Sequence, residues 1–203
     1  MTEGIIKFSC SWEEVEIFLP EATYVQLETS RQALYARGLV GVYPDGIGYG
    51  NLSVRSREGK SYYISGSGTG SKACLEPGDY AQVTDYHIQE NHLTCRGLVK
   101  ASSESLTHAA IYEVLPTAQA VLHVHCLWMW EKLLYNYPAT SNHIRYGTPE
   151  MAQAVGRLAL EIHESREKIL VMAGHQEGIL AFGEDLTQVT DQIINIYNRY
   201  KQD

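Results

Sequence analysis

In the stretch PEATYVQLETSRQALYARGL, residues 20 to 39, Val25, Leu27, Ala33, Leu34 and Leu39 recur at close to helical spacing. Pro20 suits the start of a helix and Gly38 its stop, so a first helix is predicted here. From Val42 to Tyr86 the texture changes to short β-prone runs, LSVRS, SYYIS and YAQVTD, separated by glycine-rich turns, with HLTCRGLV as a further strand. These runs predict an antiparallel meander. From Ser102 onward the pattern alternates: helix 103 to 114, strand 119 to 124, helices 126 to 136 and 149 to 164, then strands 168 to 173 and 178 to 182. A last helix, 185 to 201, carries Leu186, Val189, Ile193, Ile196, Tyr197 and Tyr200 on one stripe. This order predicts an α/β fold, a central mainly antiparallel sheet flanked by helices. Residues 1 to 19 read as a polar N-terminal arm, and no repeat or linker divides the chain, so 1–203 is expected to be one domain.

Charge narrows the partners. The 203 residues carry 24 acidic and 16 basic side chains, a net charge of -8, which repels nucleic acid and anionic lipid over most of the surface. An anionic substrate must then be held locally, by backbone N–H groups, a helix start or a metal. No leader-like N-terminus or membrane-length apolar run is present, which predicts a cytoplasmic protein with no membrane partner. Cys10, Cys74, Cys95 and Cys126 lack CxxC spacing and read as free thiols.

The apolar run LHVHC, 122 to 126, sets His123 and His125 at strand period, so both rings leave one face and both can reach one ion. A pair of half-buried polar residues is the more frequent meaning of such a motif, and ligation needs a third donor. His175, at the turn ending VMAGHQEGI, is a candidate, with a surface turn histidine as the alternative. His87, His92, His108, His143 and His163 are assigned surface or packing roles. The glycine-rich stretches DGIGYGNLS (45 to 53) and ISGSGTGSK (64 to 72) fit neither a dinucleotide fingerprint nor a P-loop. They suit an anion nest of exposed N–H groups, or simply hairpin turns. In ASSES (101 to 105), Ser102 and Ser103 fall at a helix cap, where phosphate is favoured, and Glu104 falls in the first turn.

Taken in order, GNLS (50 to 53), ISGSG (64 to 68), SSE (102 to 104), HVH (123 to 125) and GH (174 to 175) resemble the class II aldolase/adducin family. The pattern is similar to that of its fuculose-1-phosphate aldolases, including the 19 residues from Glu104 to His123 (123 - 104). The resemblance runs from about residue 20 to the C-terminus. It implies that His123, His125 and His175 bind zinc or another divalent ion. It further implies that Gly50, Asn51, Ser67, Gly68, Ser102 and Ser103 hold the phosphate of a ketose phosphate, with Glu104 as the acid/base. The implied reaction is aldol cleavage through an enediolate, whose charge a Lewis-acidic cation stabilises. A homotetramer with sites at subunit contacts is implied as well.

Within the family, Glu at 104 favours cleavage over 4-epimerisation, where Asp is usual. ISGSGTG lacks the cysteine-containing stretch of methylthioribulose-1-phosphate dehydratases, and non-catalytic adducin-like modules lack the histidines. Two features depart from the pattern. Gln176 and Glu177 intervene between His175 and Gly178, where glycine usually follows the ligand directly. The segment between His125 and YGTPEM (146 to 151) is short, removing much of the part that supplies a catalytic tyrosine. Tyr135, Tyr137, Tyr146, Tyr197 or Tyr200 stands as its substitute, and the sequence does not choose among them.

Overall fold

A computed structural model describes residues 7 to 57 and 59 to 201. Ten strands and five helices occur among them: β1 Ser9–Glu13, α1 Glu21–Tyr35, β2 Gly41–Val42, β3 Gly48–Tyr49, β4 Asn51–Arg55, β5 Tyr62–Ser65, β6 Tyr80–His87, β7 His92–Arg96, α2 Ser105–Val114, β8 Ala120–His125, α3 Leu127–Leu133, α4 Pro149–Ile162, β9 Ile169–Val171, β10 Gly178–Gly183 and α5 Leu186–Lys201. Eight strands form one sheet in the order β1-β7-β6-β5-β4-β8-β10-β9, while β2 and β3 pair separately. Every neighbour is antiparallel except β1 with β7. The expected mainly antiparallel sheet with flanking helices is what forms.

Two apolar layers cover the sheet. One joins Leu106, Ile111, Met151 and Val155 of α2 and α4 to Ile64, Val83, Val121 and Leu180 of the sheet. The other joins Leu27, Leu34, Ile193 and Ile196 of α1 and α5 to Leu52, Leu122, Val124 and Ile179. Strand β8 lies between the layers and is buried along its whole length. Ala120, Leu122 and Val124 face the α1/α5 layer, so period two turns Val121, His123 and His125 to the opposite face. Two imidazoles in a fully buried strand are therefore a deliberate polar island, because desolvating them without partners is unfavourable.

The N-terminal segment contributes a strand. Residues 1 to 6 lie outside the described residues, but Ser9–Glu13 forms β1, an edge strand beside β7. Its sequence SCSWE alternates, packing Cys10 and Trp12 on the core while Ser9, Ser11 and Glu13 face out. Glu13 pairs with Arg96 at 2.7 Å, and the Trp12 indole donates to the Gly97 carbonyl at 3.0 Å. Helix α2 starts at Ser105, leaving Glu104 at the cap rather than in the first turn. The Ser105 amide and hydroxyl both bond the Ser102 carbonyl, which closes the turn before the helix.

Candidate metal centre

His123 and His125 project from β8, and His175 comes from the turn between β9 and β10, which pairs antiparallel with β8. All three are buried, and one nitrogen from each ring lies within 4.8 Å of the other two. Ring centroids stand 4.7, 5.0 and 4.9 Å apart, a near-equilateral triangle. A tetrahedral ion bonded at about 2.1 Å to each nitrogen would set them about 3.4 Å apart, so a small closure of the rings completes the site. Gly178 makes this packing possible. A Cβ there would sit 3.1 Å from His123 Nε2 and 3.1 Å from His175 Cγ and Nδ1, inside the space the rings occupy.

Burial pushes the His123 imidazole well below its ordinary pKa, helped by the neighbouring His125, His175 and His108. Burial, then His175, does the same to His125. Both are neutral at pH 7 and keep a nitrogen lone pair, the form that ligates metals. His123 Nε2 is buried and has no hydrogen-bond partner among the described residues. An orphaned acceptor at the centre of a histidine triangle is what a cation would satisfy.

Each ring is held from outside. Asn51, paired with His123 across β4 and β8, brings its amide to 3.4 Å from His123 Nδ1. The carboxamide has the same shape in either orientation. With Oδ1 turned to Nδ1–H, that buried oxygen gains the donor it otherwise lacks and Nε2 is left bare for an ion. The Tyr43 hydroxyl lies 3.0 Å from His125 Nδ1 and donates to the Glu177 carboxylate at 2.7 Å. Tyr146 stacks on His175 with ring centroids 4.2 Å apart and planes at 15°, and the Lys7 ammonium lies over the Tyr146 ring, 3.3 Å from its centroid.

Beside the triangle is a pocket of about 380 Å³ lined by the β2–β3 hairpin, Gly50, Asn51, the 66 to 70 loop and Ser102, Ser103 and Glu104. It brings together all six expected phosphate residues and Glu104, and Asn51 belongs to both pocket and triangle. The hairpin and the loop meet at glycines. A Cβ on Gly70 would lie 2.1 Å from the Gly41 carbonyl oxygen, so no larger residue fits without moving the loop. The Ser67 amide donates to the Lys100 carbonyl at 2.8 Å, which fixes this part of the pocket wall. Arg31, itself buried, donates to the carbonyls of Ala73 at 2.9 Å and Lys72 at 2.6 Å and so ties the end of this loop to α1. Glu104 is buried, and its Oε2 accepts from the Thr107 hydroxyl at 2.7 Å. A larger groove of about 480 Å³ between α2, α4 and the β6–β7 hairpin contains none of these residues.

Of the five candidate tyrosines, only Tyr146 reaches the triangle. Tyr135 is 91% exposed, Tyr137 donates to Glu167, Tyr197 packs on Trp128 and Tyr200 packs in the α1/α5 layer. The remaining histidines behave as expected: His87, His92, His143 and His163 lie at or near the surface, and His108 is packed inside, 2.7 Å from the Ser53 hydroxyl. Cys10 and Cys95 are free thiols whose sulfurs approach to 3.4 Å. Sequence reasoning missed Tyr43 and Arg31, and noticed Glu177 only as an irregularity.

The family model for the class II aldolase and adducin N-terminal domain matches residues 29–201. The chain belongs to this family. Among solved structures, YgbL from Klebsiella pneumoniae, a candidate aldolase/epimerase/decarboxylase, superposes with a TM-score of 0.67 at 18% identity, covering 92% of this chain and 90% of that one. L-fuculose-1-phosphate aldolase from Thermus thermophilus gives 0.62 at 22% identity, over 88% and 91%. A sugar-phosphate aldolase from Thermotoga maritima gives 0.64 at 17% identity, over 89% and 92%. At these identities the likeness is one of fold. No curated protein matches the chain in sequence. No helix among the described residues is long and apolar enough to cross a membrane. Three histidines that could hold a divalent ion thus lie beside a pocket lined by serines and glycines in this class II aldolase family member.

Proposed function

We propose that the chain is a zinc-dependent aldolase that cleaves a phosphorylated ketose. The observation that carries this reading is the meeting, at Asn51, of a buried three-histidine cluster with a pocket containing Glu104 and the serine and glycine donors. His123, His125 and His175 would hold the ion, with another divalent metal as the alternative. Gly50, Asn51, Ser67, Gly68, Ser102 and Ser103 would hold the phosphate. Bound there, the cation supplies positive charge to the oxygens that become anionic in cleavage.

The residues of the chain do the rest. Hydroxyl and amide donors fix the phosphate end and so orient the ketose. As the carbon–carbon bond breaks, the departing carbinol would give its hydroxyl proton to the Glu104 carboxylate and become an aldehyde. The bonding pair passes to the carbon beside the ketone, giving an enediolate. Glu104, buried at the rim of the pocket, would return a proton to that carbon to complete dihydroxyacetone phosphate. Tyr146, stacked on His175, is the tyrosine this geometry favours in the assisting role. A cytoplasmic homotetramer with sites at subunit contacts belongs to the same reading, and mass photometry tests the tetramer.

The test is an assay of the purified, zinc-loaded chain against a panel of ketose 1-phosphates. Release of dihydroxyacetone phosphate is expected. Loss of water, or inversion at a carbinol, would replace cleavage with a dehydratase or an epimerase on the same site. A metal-loaded protein with none of these activities would point to a non-catalytic binding module.

A further inference from the structure

We infer that Glu177, acting through Tyr43, is a positioning residue that fixes the tautomer of His125 and aims its Nε2 at the histidine cluster. The argument follows one proton at a time. A tyrosine hydroxyl has a single proton, and here it goes to the Glu177 carboxylate, 2.7 Å away, which can only accept. The Tyr43 oxygen therefore faces His125 Nδ1, 3.0 Å away, as an acceptor. That nitrogen must carry the N–H. A neutral imidazole has one ring proton, so the Nε2 of His125 is left as the lone pair. The carboxylate at the far end of the chain strengthens both hydrogen bonds and makes that lone pair a better donor.

The turn that delivers Glu177 is built for the purpose. His175 and Glu177 lie on a tight connection closed by the bonds from the Gly178 amide to the His175 carbonyl, 2.9 Å, and from the Met172 amide to the Gly178 carbonyl, 3.0 Å. Gln176 and Glu177 are the two residues that stand where the family pattern has a ligand followed directly by glycine. Glu177 takes a φ of +73°, a conformation that glycine adopts without strain and glutamate does not. Its carboxylate is what glutamate adds there. Its carbonyl also accepts from the Cys126 amide at 3.2 Å, which pins the turn against the residue following His125. The same short turn thus supplies one ring of the triangle and orients a second.

The inference deepens the metal reading and rests on it for its use, but the tautomer is observable without any metal. In the metal-free full-length chain, long-range ¹⁵N–¹H correlation of the histidine rings should show His125 with its proton on Nδ1. Tyr43→Phe and Glu177→Gln should each lose that uniform Nδ1–H signature. In zinc competition against a chromophoric chelator, each should weaken binding by about 10- to 100-fold. The Tyr43→Phe/Glu177→Gln double variant should bind no more weakly than Tyr43→Phe alone, because the carboxylate acts only through the hydroxyl. A wild-type His125 protonated on Nε2 would overturn the inference, as would zinc affinities of both single variants within twofold of wild type. If the wild type shows the Nδ1–H tautomer but binds no zinc, the metal reading falls while the positioning chain stands.

Discussion

His108 offers a prediction whose size follows from its surroundings. It lies wholly inside the α2 layer, with Ser53 at Nδ1, and burial pushes its pKa down to about 3. In the unfolded chain an ordinary histidine titrates near 6.5. Above about pH 6.5 both states are neutral there and the group leaves stability unchanged. Between about 6.5 and 3 only the unfolded chain takes up the proton, so the folded state loses roughly 1.4 kcal/mol per pH unit, and below about 3 the loss levels off at about 5 kcal/mol. From pH 7 to pH 5 the His108 share is about 2 kcal/mol. His123 and His125, also depressed by burial, add to the same acid loss, so the share is isolated by difference. His108→Gln keeps a hydrogen-bonding group toward Ser53 but cannot titrate. Urea unfolding of the metal-free proteins at pH 7 and pH 5 should show the wild type losing about 2 kcal/mol more than the variant. Parallel losses, within about 0.5 kcal/mol, would show that His108 is protonated in the folded state or not buried as described.

Three further outcomes are expected. Gly178→Ala inserts a methyl between His123 and His175, so zinc affinity by chelator competition should fall at least about tenfold while the far-ultraviolet circular dichroism is kept. Arg31→Met leaves the Ala73 and Lys72 carbonyls without their buried donor. It should cost about 3 kcal/mol in urea unfolding and raise KM for the phosphorylated substrate more than it lowers kcat. Glu104→Gln should keep the metal by elemental analysis and lose turnover, and a fully active variant would remove Glu104 from the proton transfer.

The parts of this molecule legible in its sequence were those with a local period. The stripe of α5, the alternation of β4 to β7 and the His123/His125 spacing each repeat within a few residues, and each formed where expected. Strand β1 alternates too, but over five mostly polar residues whose apolar members, Cys10 and Trp12, matter only because β7 lies beside them. The start of α2 shifted by two residues because the Ser105 hydroxyl competes for the Ser102 carbonyl, a side-chain choice no pattern announces. His175 was a candidate from its place at a turn ending an apolar run, and the resemblance alone joined it to the other two histidines. Tyr43 was invisible because its partners, His125 and Glu177, are 82 and 134 positions away along the chain. Its selection from among the fourteen tyrosines is a property of the folded contacts alone.

The central claim is that His123, His125 and His175 share one ion. Elemental analysis of the full chain, dialysed after loading with zinc, should give one zinc per wild-type chain and close to none for His175→Ala, with the variant still folded by circular dichroism. Equal zinc in both proteins, or none in either, would contradict it.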